Sequence, residues 1–171
     1  MQQSSRRARA TTLDRVSIAV FDIDGVVADV RHRVHHVAHR PKDWAQFFDA
    51  AAADTGIAEG IAAAHAAAEH HDIVWLTGRP NWLRPVTTRW LADQGLPAGQ
   101  LVMRADRDYR PAPVLKVAEL RRLRDRDIAR FVDDDPAVIA AATAAGFPAT
   151  LVTWVPRSDA LAGVQDRAGR T

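Results

Sequence analysis

The stretch Val16-Ser17-Ile18-Ala19-Val20-Phe21-Asp22-Ile23-Asp24-Gly25 joins a mostly apolar run to two carboxylates and a glycine. A strand that is apolar on both faces needs cover on both, the condition met in parallel sheets with helices above and below. Four further short runs rich in β-branched and apolar residues follow at 73–76, 101–103, 128–132 and 150–154. Between the runs lie helix-like patterns at 44–53, 57–70, 82–94, 114–123 and 137–145. Pro80 and Pro136 stand where a first helical turn would begin, and Gly95 and Gly146 where helices would stop. This βαβα alternation predicts an α/β fold, a three-layer doubly wound, Rossmann-like parallel sheet of about five strands with ligands at their carboxyl ends.

A chain of 171 residues supplies one core and falls short of two ordinary domains. Residues 15–156 are read as that domain, and 1–14 and 157–171 as disordered tails, because they carry no apolar period to bury. The basic N-terminal tail reads as a solvated arm, with contact to a polyanion as the alternative. No apolar run approaches the roughly 20 residues that cross a bilayer, and residues 1–15 contain no secretory-type apolar stretch. A cytoplasmic location without a membrane partner is therefore expected. Cysteine is absent, which excludes disulfides, thiolate metal sites and cysteine nucleophiles. The net charge of +2 is no argument for nucleic acid. Of the 23 basic residues only Lys42 and Lys116 are lysine, a bias that with the heavy alanine use resembles the codon habit of a GC-rich genome. Each lysine that survives such a bias invites a specific explanation.

The carboxyl-end rule singles out Asp22, Asp24 and Gly25 after the first run, Thr77, Gly78 and Arg79 after the second, and Asp133, Asp134 and Asp135 after the fourth. Two carboxylates two residues apart can divide the work of nucleophile and general acid/base while the glycine lets the chain turn sharply. A calcium loop is the competing reading, but its twelfth position counted from Asp22 is Arg33 rather than glutamate. The acids at 133 and 134 add like charge that a divalent cation relieves, so an oxygen-ligated ion such as Mg²⁺ is expected between the two loops. Asp135, directly before Pro136, reads as a helix N-cap. Thr77 and Lys116 are donors suited to phosphoryl oxygens, whose charge persists through transfer. Taken singly, a turn threonine and a solvated lysine are the plainer readings.

Taken in order, Phe21-Asp22-Ile23-Asp24-Gly25, Leu76-Thr77-Gly78-Arg79, Lys116 and Phe131-Val132-Asp133-Asp134 resemble the four motifs of the haloacid dehalogenase-like (HAD) hydrolase superfamily, over about residues 16–154. The resemblance implies that Asp22 attacks phosphorus to give an aspartyl-phosphate. It implies that Asp24 protonates the leaving oxygen and then activates water, that Thr77 binds a phosphoryl oxygen, and that Lys116 neutralises nucleophile and phosphoryl group. Mg²⁺ would lie between the Asp22 carboxylate, the Asp24 carbonyl and the acids Asp133 and Asp134, with Asp134 the closer. Asp24 also sets the chain with the phosphatases, since the dehalogenase branch lacks this second acid.

Residues 25–72 hold little beyond two or three helices and 80–116 a helix, a strand and a loop, so no large cap domain is expected and an extended or macromolecular substrate fits. Thr77-Gly78-Arg79-Pro80, Arg89-Trp90-Leu91, Met103-Arg104, Asp108-Tyr109-Arg110-Pro111 and Phe131-Val132-Asp133-Asp134 are similar to the phosphatase half of bacteriophage polynucleotide kinase/phosphatase and its stand-alone bacterial relatives. Asp135 departs from that pattern, which has arginine. A 3′-phosphorylated nucleic-acid end, or a nucleotide, is the substrate so implied, with Gly25, Gly78, Arg79, Arg104 and Arg110 as candidates for binding it. No phosphate-binding Gly-x-x-x-x-Gly-Lys-Ser/Thr loop occurs, so a kinase or ligase partner would be a separate protein. A small-metabolite phosphatase roofed by a second subunit and a catalytically silent phosphate-binding module are the alternatives. The histidine-rich stretch 31–40 reads first as a solvated helix, then as a basic flap, then as a transition-metal site. Trp44, Phe47 and Phe48 read as core before they read as a stacking surface.

Overall fold

A computed structural model describes residues 17–156. The two tails and the first residue of the opening run lie outside them. The elements in order are β1 (Ile18–Phe21), β2 (Ala28–Asp29), α1 (His35–Ala38), α2 (Trp44–Asp49), β3 (Thr55–Gly56), α3 (Ala58–Ala68), β4 (Asp72–Pro80), α4 (Arg84–Asp93), β5 (Gly99–Arg104), α5 (Ala112–Leu123), β6 (Ile128–Asp133), α6 (Pro136–Ala144) and β7 (Ala149–Leu151).

Strands β5-β4-β1-β6-β7 form one five-stranded sheet in that order, every pairing parallel. The two faces of β1 show why the sequence lacks a polar side. Ala19 and Phe21 pack with Ile73 and Trp75 against Ala64 and Ala67 of α3 and Trp90 and Leu91 of α4. Ile18 and Val20 pack with Val74, Leu76 and Phe131 against Leu120 and Leu123 of α5 and Val138 and Ala142 of α6. Fully burying each large side chain contributes on the order of 1.5–3 kcal/mol, so both layers are held by the same central strand. The chain runs outward from β1 through β4 to β5, then crosses back to β6 and β7. Strand order reverses at β1, and in such sheets the crevice at the reversal is where ligands bind. The next residue is Asp22.

Departures from the sequence reading are local. Pro80 closes β4 instead of opening a helix, and Pro85 sits in the first turn of α4 in its place. β4 continues to Pro80 because its pairing with β5 is irregular between Thr77 and Pro80, letting Pro80 sit opposite Arg104. The last strand ends at Leu151, so 152–154 lie beyond it. Between β1 and β4, β2 and β3 form an unforeseen antiparallel ribbon, and Val30, Val37, Phe47, Phe48, Ala51 and Leu83 make a third small core. Among the described residues this insertion forms no separate cap domain.

The glycine stops are found. Gly95 and Gly146 have φ of 66° and 84°, and in each case two backbone bonds close the helix end: Leu96 N to Leu91 O at 3.0 Å and Gly95 N to Ala92 O at 2.9 Å, then Phe147 N to Ala142 O at 3.0 Å and Gly146 N to Thr143 O at 2.9 Å. A Cβ at Gly95 would meet nothing within 4 Å. Gly95→Ala should therefore lower stability by about 1 kcal/mol through backbone strain alone, read as a lower urea midpoint with unchanged slope; an unshifted midpoint would contradict it.

Candidate active site

Asp22 continues the ladder past Phe21, its amide donating to Val132 O at 2.9 Å. Its carboxylate Oδ1 accepts from Ile23 N at 2.8 Å and lies 2.8 Å from Lys116 Nζ. Lys116 projects from the second turn of α5 and is only 2 % exposed. Its ammonium also donates to Leu76 O at 2.9 Å and to Asp133 Oδ2 at 3.0 Å. Three donors thus reach three adjacent strands, β4, β1 and β6. A compact ammonium can point its hydrogens in three directions; a planar guanidinium cannot, which accounts for a lysine in an arginine-rich chain. Burial works against the Lys116 charge, but Asp133 and Asp22 more than offset it and hold the pKa above the usual lysine value. Burial, aided by Asp133, Asp134 and Asp24 and opposed by Lys116, raises the Asp22 carboxyl well above its ordinary range.

Asp22, Asp133 and Asp134 each offer a carboxylate oxygen, all within 4.8 Å of one another. At an effective dielectric of about 20, each such pair of charges repels by roughly 3–4 kcal/mol. Lys116 supplies one positive charge to Asp22 and Asp133. Three oxygen donors with excess negative charge are the donor set a hard divalent cation takes, so the residues fit Mg²⁺. Gly25 permits the arrangement: its φ is 78°, and a Cβ there would run into the Asp134 carboxylate. Asp135 caps α6, its Oδ1 accepting from Ala137 N at 2.8 Å, while Asp133 Oδ1 accepts from Asp135 N at 2.9 Å. Asp22, Asp24, Gly78, Ala112, Lys116 and Asp133 through Asp135 line a single cleft.

Asp24 is gripped by two arginines, Arg33 Nη2 at 3.0 Å and Arg79 Nε at 2.9 Å from Oδ1. Both guanidinium groups are wholly buried and also meet Asp54: Arg33 Nε reaches Oδ1 at 2.7 Å and Nη2 reaches Oδ2 at 2.8 Å, and Arg79 Nη2 reaches Oδ2 at 2.6 Å. His32 Nε2 adds a contact to Asp54 Oδ1 at 2.9 Å. Burial favours a protonated Asp24, but Arg79 and Arg33 outweigh it and hold its pKa below the ordinary value. Sequence reasoning missed Arg33 and Asp54. Arg33 left a trace, since Val30, Arg33, Val34 and Val37 share the spacing of one helical stripe, placing an arginine among apolar residues. Asp54 left none.

The remaining candidates sit around this core. Thr77 is buried, its Oγ1 accepting from Arg79 N at 3.2 Å. Arg79, expected at a substrate phosphate, is turned inward to Asp24 and Asp54. Arg104, given the same expectation, is 3 % exposed and donates to the carbonyls of Gly78 at 3.1 Å, Asp108 at 3.1 Å and Arg110 at 2.7 Å, fastening β4 to the 105–111 loop. Arg110 is exposed and pairs with Asp108 of the same loop at 2.9 Å. The histidine stretch breaks into the turn Arg31–Arg33 and the short helix α1, with the ring centres of His35 and His36 3.9 Å apart and the rings tilted by 40°. Phe47 and Phe48 are core, and Trp44 packs edge-on to Phe47 at 5.6 Å.

Asp54→Ala would leave two buried guanidinium groups sharing Asp24 alone. It should cost about 3–5 kcal/mol of stability, the range for breaking a buried pair from one side, measured by urea unfolding beside an Arg31→Ala control at an exposed pair. A loss no larger than the control's would show that Asp54 does not hold this network.

A family model described as the polynucleotide kinase PNKP phosphatase domain matches residues 16–153. No curated protein sequence matches the chain. Among solved structures, a chain of the Pnkp1/Rnl/Hen1 RNA repair complex superposes with TM-score 0.67 at 20% identity, covering 88% of this chain and 47% of that one. The chain therefore spans about half the length of that relative. A haloacid dehalogenase-like hydrolase from Streptococcus pneumoniae superposes with TM-score 0.58 at 11% identity, covering 88% and 91%. A HAD family enzyme from Bacteroides thetaiotaomicron, in complex with magnesium and inorganic phosphate, gives TM-score 0.52 at 11% identity, covering 85% and 98%. With the family model spanning most of the chain and the fold shared with these hydrolases, the protein belongs to the PNKP phosphatase-domain family of the HAD superfamily.

Proposed function

We propose that the protein is a Mg²⁺-dependent phosphomonoesterase that works through an aspartyl-phosphate and acts on nucleic-acid 3′-phosphate ends. The observation that carries the reading is Asp22 at the switch point of the sheet, held by Lys116 and faced by Asp133 and Asp134. Phosphatase chemistry follows from the family; the metal, the intermediate and the substrate are this reading.

Lys116 and Ile23 N both meet Oδ1 of Asp22. That leaves Oδ2 to attack phosphorus, forming the Asp22–phosphorus bond as the bond to the leaving oxygen breaks. Asp24 delivers a proton to that oxygen, then takes one from the water that attacks the phosphoryl-Asp22. Hydrolysis returns Asp22 as carboxylate, Asp24 protonated, and free phosphate. Against burial, the charges of Arg79 and Arg33 hold the Asp24 pKa below its ordinary value, which favours release of its proton to the leaving oxygen in the first step and leaves the carboxylate that takes the water's proton in the second. Thr77 and Lys116 donate to phosphoryl oxygens, and Gly78 of β4 forms part of one wall of the cleft. Bound between Asp22, the Asp24 carbonyl, Asp133 and Asp134, Mg²⁺ would neutralise the crowded carboxylates and polarise the phosphoryl group. The likeness to a chain of an RNA repair complex, together with the absence of a large cap among the described residues, supports a polynucleotide end over a small metabolite, with a kinase or ligase as a possible functional partner.

Asp22→Asn should abolish phosphate release from a generic aryl phosphate while leaving the circular dichroism spectrum unchanged; full activity in that variant would sink the mechanism. Chelation with EDTA should silence the wild type, and added Mg²⁺ should restore it. At fixed salt, a 3′-phosphorylated oligonucleotide should be turned over faster than mononucleotides or sugar phosphates, and equal or slower turnover would remove the polynucleotide assignment.

A further inference from the structure

A second cleft opens beside the acidic one, lined by Trp44, Phe48, Pro80, Trp82, Arg104 and Tyr109 together with Ala45, Asp106 and Asp108. Trp82 is 52% exposed and Tyr109 60%, and they are the exposed large aromatics among the described residues. Scattered exposed apolar residues need no explanation, but two aromatic rings on one concave surface do.

The rings are held in place. Trp82 meets Phe48 edge-on, ring centres 5.7 Å apart at 86°, and Phe48 is anchored in the small third core. The amide of Trp82 donates to Asp106 Oδ1 at 2.8 Å, tying it to the loop that carries Tyr109. On that loop the carbonyls flanking Tyr109, those of Asp108 and Arg110, both accept from buried Arg104. The same Arg104 donates to Gly78 O, and Gly78 lines the acidic cleft. The two clefts therefore share a wall: Gly78 and Ala112 face Asp22, while Pro80 and Tyr109, two and three residues away, face the aromatic cleft. At no more than about 3.6 Å per residue, the clefts lie within about 11 Å of each other along either strand of chain.

We propose that this aromatic cleft receives the unstacked bases of the last nucleotides of the strand whose 3′-phosphate enters the Asp22 cleft. The inference rests on the polynucleotide reading above and specifies how that substrate is held. Exposed aromatic rings in a cleft can bind bases by stacking without regard to sequence. The cation that lines this cleft, Arg104, is turned to the carbonyls of Gly78, Asp108 and Arg110, so the cleft takes the base while the phosphate goes to Lys116 and the acidic cleft. A base is available for stacking when it is not paired, which makes the substrate a single-stranded end.

The test is a cycle on kcat/KM using 3′-phosphorylated single strands, in ribo and deoxy form, whose last two residues carry bases or are abasic. For the wild type, removing the bases should lower kcat/KM roughly tenfold, mainly through KM, the scale of one stacking contact. Trp82→Ala should cause a similar loss on the intact strand, with Trp82→Phe recovering most of it. The two changes together should cost no more than either alone, the signature of one shared interaction. Independent, multiplying losses, or a wild type indifferent to the missing bases, would overturn the proposal; the wild-type comparison requires no variant to fold. Wild-type protein that hydrolyses acetyl phosphate but neither strand would instead overturn the polynucleotide reading on which the proposal stands.

Discussion

The ammonium of Lys116 joins three neighbouring strand ends, and the site depends on that junction. It approaches the carboxylates of Asp22 and Asp133 at 2.8 and 3.0 Å and the carbonyl of Leu76 at 2.9 Å. The sheet topology brings β1, β4 and β6 side by side, which concentrates acids and strand-end carbonyls at one edge. Without a buried cation the crowding of Asp22, Asp133 and Asp134 would oppose folding. With one, the Asp22 carboxylate is held in place by hydrogen bonds from Lys116 and the Ile23 amide, the preorganisation that the proposed nucleophile requires.

A second set of buried charges fixes the other acid. Asp24 stands between Arg33 and Arg79, and Asp54 shares the Nη2 nitrogen of both guanidinium groups with it. Such networks contribute little net stability relative to apolar packing, because desolvation nearly cancels the attraction. Their effect is on position and ionisation. Here the network pins the insertion between β1 and β4 to the sheet edge, since Arg33 and Asp54 both come from that insertion and Arg79 from β4. The insertion is too small to roof the site, and it contributes instead one wall of the aromatic cleft through Trp44 and Phe48.

The fold and the acidic site were legible in the chain because each rests on a local signal. Both faces of β1 are apolar, so the parallel sheet with two helical layers followed from Ile18 through Phe21. Asp22, Asp24 and Asp133 stand at or just past strand ends, Thr77 follows the apolar run of β4, and Lys116 is conspicuous against 21 arginines. Other features were hidden because their partners are distant in sequence. Arg79 and Arg104 carry the composition of substrate contacts, yet the structure turns both inward, one to Asp24 and Asp54, the other to three backbone carbonyls.

By itself the sequence determined the strand and helix layers, the switch-point location of the site and the identity of its acids, since hydrophobic period and strand-end placement are properties of short segments. Only the tertiary structure decided how those charges are paired. Lys116 finds Asp133 17 residues away and Arg79 finds Asp24 55 residues away, and no local pattern encodes which carboxylate a buried cation will meet. The same holds for the aromatic cleft: Trp44, Trp82 and Tyr109 belong to three separate segments, and only chain packing puts their rings on one surface beside Asp22.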